Sequence, residues 1–76
     1  MSNIMQADSV KYIVARLIEN AAEASEESRS DKKNEFAAGR KVAYYEMLDI
    51  LKSELDANDQ DLKEYGLNID LVKTFA

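Results

Sequence analysis

Cysteine, histidine, proline and tryptophan are all missing from this 76-residue chain, and glycine occurs only at Gly39 and Gly66. Each absence excludes something. Without cysteine there is no disulfide and no thiolate metal site. Without histidine the chain lacks the commonest metal ligand and the usual general base at neutral pH. A chain of this length buries only about 60% of the surface its unfolded form exposes. Below roughly 70–80 residues, stability usually draws on a disulfide, a metal or a partner chain. Of these, a second subunit is what remains. Long apolar runs are also missing, none approaching the ~18 residues of a membrane span. The opening Met-Ser-Asn-Ile-Met-Gln-Ala-Asp has neither the basic region nor the apolar core of a signal peptide. The expectation is a cytoplasmic chain with no membrane contact.

Ala, Leu, Glu and Lys dominate what is there, a composition of helices rather than of a sheet. The net charge of −5 is unevenly placed. Residues 1–28 are acidic, with Lys11 and Arg16 against Asp8, Glu19, Glu23, Glu26 and Glu27. Residues 29–41 are basic, with Arg29, Lys32, Lys33, Arg40 and Lys41 against Asp31 and Glu35. From residue 42 onward the chain is acidic again. A basic band between two acidic arms suits a chain folded back on itself, although solubility alone also accounts for it.

Hydrophobic spacing supports that folding. Val10, Val14, Leu17, Ala21, Ala24 and Ser28 recur at steps of three and four and trace one helical seam, widened by Ile13 and Ile18. A second seam runs Ala37, Tyr44, Leu48, Leu51 and Leu55, flanked by Phe36, Ala43, Met47 and Ile50. Continuing the first seam at its own spacing lands mostly on polar residues, so the phase slips near residues 28–34. The polar stretch Ser28 to Asn34 is rich in residues that cap helices. This predicts an all-α antiparallel hairpin: helix 1 at about 4–28, a turn at about 29–34, and helix 2 at about 35–57. A single rod to residue 57 is the alternative. In the hairpin Ala24 lies near Ala37, Leu17 near Tyr44 and Val10 near Leu51. Arg40 or Lys41 is then expected beside Glu19 or Glu23.

A C-terminal segment occupies about 58–76. Asn58 and Asp59 are cap candidates, residues 60–65 read as a short helix, and Gly66 suits its end. Beyond Gly66, Leu67, Ile69 and Leu71 alternate as in a strand, while Ile69, Val72 and Phe75 are spaced as in a helix, and both readings stay open. With Leu62 and Tyr65, the segment carries too many apolar groups for a disordered tag. It packs on the hairpin or on a partner.

No residue pattern points to catalysis. Tyr44, Tyr45 and Glu46 are consecutive, so on a helix they splay about 100° apart and cannot form one cluster. Tyr44 belongs to the seam. Tyr45, with Val42 beside it, is a candidate exposed contact. Glu19, Glu23, Glu26 and Glu27 suggest a bundle metal site, but such sites also use Glu-x-x-His motifs that this chain cannot supply, and a solvated acidic face is expected instead. Residues 59–75 carry the outline of a helix-turn-helix, yet the second helix offers only Lys73 against Asp70, too few cations for phosphate contacts. No nucleic acid, cofactor or metal is therefore expected.

The run Gly39-Arg40-x-x-Ala43-Tyr44-Tyr45-Glu46-x-Leu48 resembles one in short bacterial proteins of unknown function that form helical hairpins. The resemblance implies an all-helical cytoplasmic protein and no particular activity or ligand. The expected function is a non-enzymatic interaction module acting through helical packing. The alternative is a small acidic regulator, antitoxin- or immunity-like, held on a basic partner protein. A DNA-binding subunit ranks third and an enzyme fourth. Both seams are wider than one facing helix can cover, which predicts a homodimer, most simply a four-helix bundle of two hairpins. Its core and contact candidates are Ile13, Leu17, Ile18, Phe36, Tyr44, Met47, Leu48, Ile50 and Leu51.

Overall fold

Residues 7–75 are described by a computed structural model. Two long helices, α1 (Ala7–Ser30) and α2 (Glu35–Ala57), pack antiparallel. A 3-10 turn (Leu62–Tyr65) and a short helix, α3 (Leu71–Phe75), then fold back against both. No strand occurs among the described residues.

Two short polar side chains make the hairpin turn without glycine or proline. Asp31 accepts from the Lys33 N–H at 3.1 Å, and Asn34 N-caps α2 by accepting from the Ala37 N–H at 3.0 Å. Both use the reach of a short side chain to its own backbone. The turn is therefore tighter than the sequence suggests, with α1 running to Ser30 instead of stopping near residue 28.

Asn58 and Asp59 turn out to close α2 rather than to start the next element. Asp59 takes a left-handed conformation at φ +58°, and Gln60 donates back to the Leu55 carbonyl at 2.9 Å. This six-to-one closure usually recruits glycine; aspartate is among the few other residues that tolerate it. Asp61 instead caps the 3-10 turn through the Lys63 N–H. Gly66, at φ +73°, ends that turn with the same closure, Leu67 N–H to the Leu62 carbonyl at 2.9 Å. Asp70 then accepts from the Val72 and Lys73 N–H groups and starts α3. Neither reading of residues 67–75 is realised as made: no strand forms, and the helix buries Leu71 and Phe75 while Val72 is exposed and Ile69 precedes it. Leu67, Ile69 and Leu71 alternate inward along an irregular stretch, and Leu71 and Phe75 share one face of α3.

The tail completes the core. Tyr65, Leu67, Leu71 and Phe75 are buried with Val14, Ala21 and Leu48, and Val10, Leu17, Ile18, Tyr44, Tyr45, Leu51 and Leu55 pack around them half-buried. Toward the turn the helices close on small residues, Ala24 and Ala37, both fully buried. The ion pair across the hairpin joins Arg40 to Glu27 at 2.7 Å. That is one turn closer to the loop than the expected Glu23. Glu19 pairs within its own helix with Arg16.

Candidate functional site: an open apolar face

The tail covers one side of the hairpin only. On α1 its contacts fall along the row Lys11, Ile18. Lys11 reaches Glu64 at 3.8 Å and lies over the Tyr65 ring, and the Gly66 Cα faces the Ile18 side chain. On α2 they fall along the row Tyr45, Lys52, where the Lys52 ammonium donates to the Ile69 carbonyl at 2.5 Å. Both rows lie about 60° to one side of the line where the helices meet, as helical periodicity requires.

The opposite side has no such cover. There α2 presents Phe36, Ala43, Met47 and Ile50, with Phe36 74% and Ile50 62% exposed, and α1 presents Ile13. Leu17, Tyr44 and Leu51 lie half-buried beneath them. The steps of seven, four and three from residue 36 to 50 hold these side chains in one stripe about 21 Å long, at 1.5 Å per residue. Gly39, one turn from Ala43, leaves open space where a side chain would stand. Monomeric proteins seldom expose so continuous an apolar stripe without a use for it.

Charge frames the stripe near the turn. The Arg40 guanidinium lies 5.8 Å from the centroid of the Tyr44 ring and pairs with Glu27. Hydrogen bonding to Tyr44 is the largest cause holding it above its ordinary value; desolvation opposes this, and Glu27 adds to it. Arg40 thus ties Tyr44 of α2 to Glu27 of α1 at the turn end of the stripe.

The structure sorts the candidate residues into three groups. Leu48 is fully enclosed within one chain, so it serves the core alone. Ile18 lies under the tail, and Leu17, Tyr44 and Leu51 form the floor of the open face. Ile13, Phe36, Met47 and Ile50 stand out from it. Val42 is exposed but lies away from the stripe, while Tyr45, placed on the outer side by its spacing, is half-buried because the tail packs over it. Helix spacing alone could not show which flank of each seam the tail would take.

Between α2 and the tail lies an open cleft of about 550 Å3 that includes Asp49, Lys52, Asp56 and Asp70. Among the described residues no group of three or more carboxylates is arranged to hold a metal ion. The helix-turn-helix outline at 59–75 is realised as a single 3-10 turn and a five-residue helix. No helix among the described residues is long and apolar enough to cross a membrane. No protein-family model matches the chain, and no curated protein or solved structure matches it either.

Proposed function

We propose that the protein is a non-enzymatic interaction module that pairs with a second copy of itself through the open face, giving a four-helix core from two hairpins with the tails outside. The stripe of Phe36, Ala43, Met47 and Ile50 with Ile13 carries this reading. Burying a large aliphatic or aromatic side chain is worth about 1.5–3 kcal/mol when it starts fully exposed, and several such groups per copy stand to be covered. Association costs about 4–15 kcal/mol before any surplus appears. Gain and cost are of similar size, so the pairing we propose is weak. Symmetric pairing is the commonest arrangement of soluble oligomers and puts the same patch on both sides of the interface.

The reading as an acidic inhibitor of a basic protein has less behind it. Four of the chain's fifteen acidic residues, Glu19, Glu26, Glu27 and Glu64, are already engaged by cations of the same chain. Sedimentation equilibrium from about 1 to 500 μM, a span that reaches weak association, tests the pairing. A mass that rises from one chain to two, and stays at one in Ile50→Asp, supports it. One chain at every concentration in the unsubstituted protein overturns it.

A further inference from the structure

We propose a second, independent site: a phosphate-binding cleft at the turn end of the hairpin, lined by Ser25, Ser28, Arg29, Lys32 and Lys41. It lies on the side of the tail but beyond the tail's reach, since Ser25 continues the row of Lys11 and Ile18 toward the loop. Three elements converge there. α1 supplies two hydroxyls and a guanidinium, the turn supplies one ammonium, and the second turn of α2 supplies another. The cleft has a volume of about 340 Å3, the low end of small-molecule sites, suited to a phosphate bearing a small organic group.

The charge balance singles this place out. The chain is acidic overall, yet three of the five cations of its one basic segment, Arg29, Lys32 and Lys41, meet at this cleft. Arg29 is held by Glu26 at 3.1 Å, but neither Lys32 nor Lys41 forms an ion pair among the described residues. Lys41 is also half-buried where it lines the cleft, as a lysine is when its stem packs and its head stays in water. A simpler account is that cations at the end of α1 complement its dipole. That covers Arg29 and Lys32 but not Lys41, which sits near the positive end of α2. Ser25 adds to the case. It is the one buried polar side chain among the described residues, at 8% exposure, close to the equally buried Ala21 and Ala24, where alanine serves the packing and forms helix better. Hydroxyls beside unpaired ammonium groups suit tetrahedral oxyanions, which accept several hydrogen bonds at once.

The site and the open face are on opposite sides, so each can fail without the other. Two-dimensional amide NMR of the full chain, titrated separately with inorganic phosphate, glycerol phosphate and, as control, chloride at matched ionic strength, decides it. The expected result is saturable shifts confined to residues 25–32 and 38–42, weakened about tenfold or more in Lys41→Gln while the rest of the spectrum is unchanged. Tighter binding of glycerol phosphate than of phosphate assigns the site to a small organic phosphate, and the reverse assigns it to the free ion. Shifts that do not saturate, that spread equally to Lys63 and Lys73, or that survive Lys41→Gln would overturn the proposal.

Discussion

Leu67→Ala tests whether the tail or a partner completes the core. Leu67 is fully enclosed by residues from both long helices and from the tail itself. Truncating a buried leucine removes its transfer free energy and leaves a cavity, about 2–5 kcal/mol together. A chain of this size is stable by roughly 4–11 kcal/mol in total, at 0.05–0.15 kcal/mol per residue. One substitution among the last ten residues of the chain therefore removes about a fifth of the stability or more. At about 4–8 °C per kcal/mol for a domain this small, the melting midpoint falls by roughly 8–40 °C. Urea unfolding followed by helical circular dichroism measures the loss directly. Ile50→Ala is the control, because Ile50 is exposed in one chain and truncation should cost less than about 0.5 kcal/mol when the protein is dilute. If pairing buries Ile50, that cost grows with protein concentration while the cost at Leu67 stays nearly constant. A loss at Leu67 below about 1 kcal/mol would refute the reasoning, for the tail would then lie on the hairpin without holding it together.

The hairpin was legible because each seam keeps its own phase and the polar stretch between them cannot continue either. The tail's placement was not. Its apolar content showed that Leu62 to Phe75 must be buried, but the flank of α2 it leaves open, with Phe36, Ala43, Met47 and Ile50, is the more apolar one in sequence. Ile18 and Tyr45 on one side carry no more hydrophobic signal than Ile13 and Met47 on the other. What selects the side is three-dimensional: the turn at Asp59–Asp61 sends the chain across the row of Tyr45 and Lys52, and Lys52 then meets the Ile69 carbonyl. The same ambiguity hid which candidates belonged together. The ion pair was misplaced by one turn for a related reason. A long arginine reaches beyond the level of its own Cα, and the register of Ala24 with Ala37 does not specify where its end will rest. The phosphate cleft needs the fold to exist at all, since Ser25 and Lys41 are sixteen positions apart and meet only across the hairpin.

Further outcomes follow from single positions. Asn34→Ala removes the cap of α2 and should cost about 1 kcal/mol in chemical unfolding; an unchanged midpoint would mean that water replaces the cap without penalty. Arg40→Ala should cost less than that at low salt, and the difference should shrink in about 0.5 M salt, where exposed pairs are screened. The raised Arg40 makes its contribution complete below the unfolded arginine value, lost only as pH rises through the higher folded one. With no histidine either, the melting midpoint should be nearly flat from about pH 6 to 9. The two glycines should respond in opposite directions to alanine. At Gly66 a Cβ would meet Ile18 Cδ1 at 3.5 Å, an ordinary contact, so space is not the obstacle. The backbone is, at φ +73°, where an L-residue pays about 1–2 kcal/mol against the ~0.4–1 kcal/mol gained by restricting the unfolded chain. Gly66→Ala should therefore destabilise by about 1 kcal/mol. Gly39 is helical with nothing within 4 Å of the added carbon, so Gly39→Ala should stabilise the dilute chain by about 1 kcal/mol through helix propensity alone. If the gain at Gly39 vanishes or reverses as concentration rises, the new methyl is meeting another chain across the open face. If Gly39→Ala stabilises equally at all concentrations, the surface around Gly39 stays in water, and the interface, where one forms, lies nearer Ile13 and Ile50.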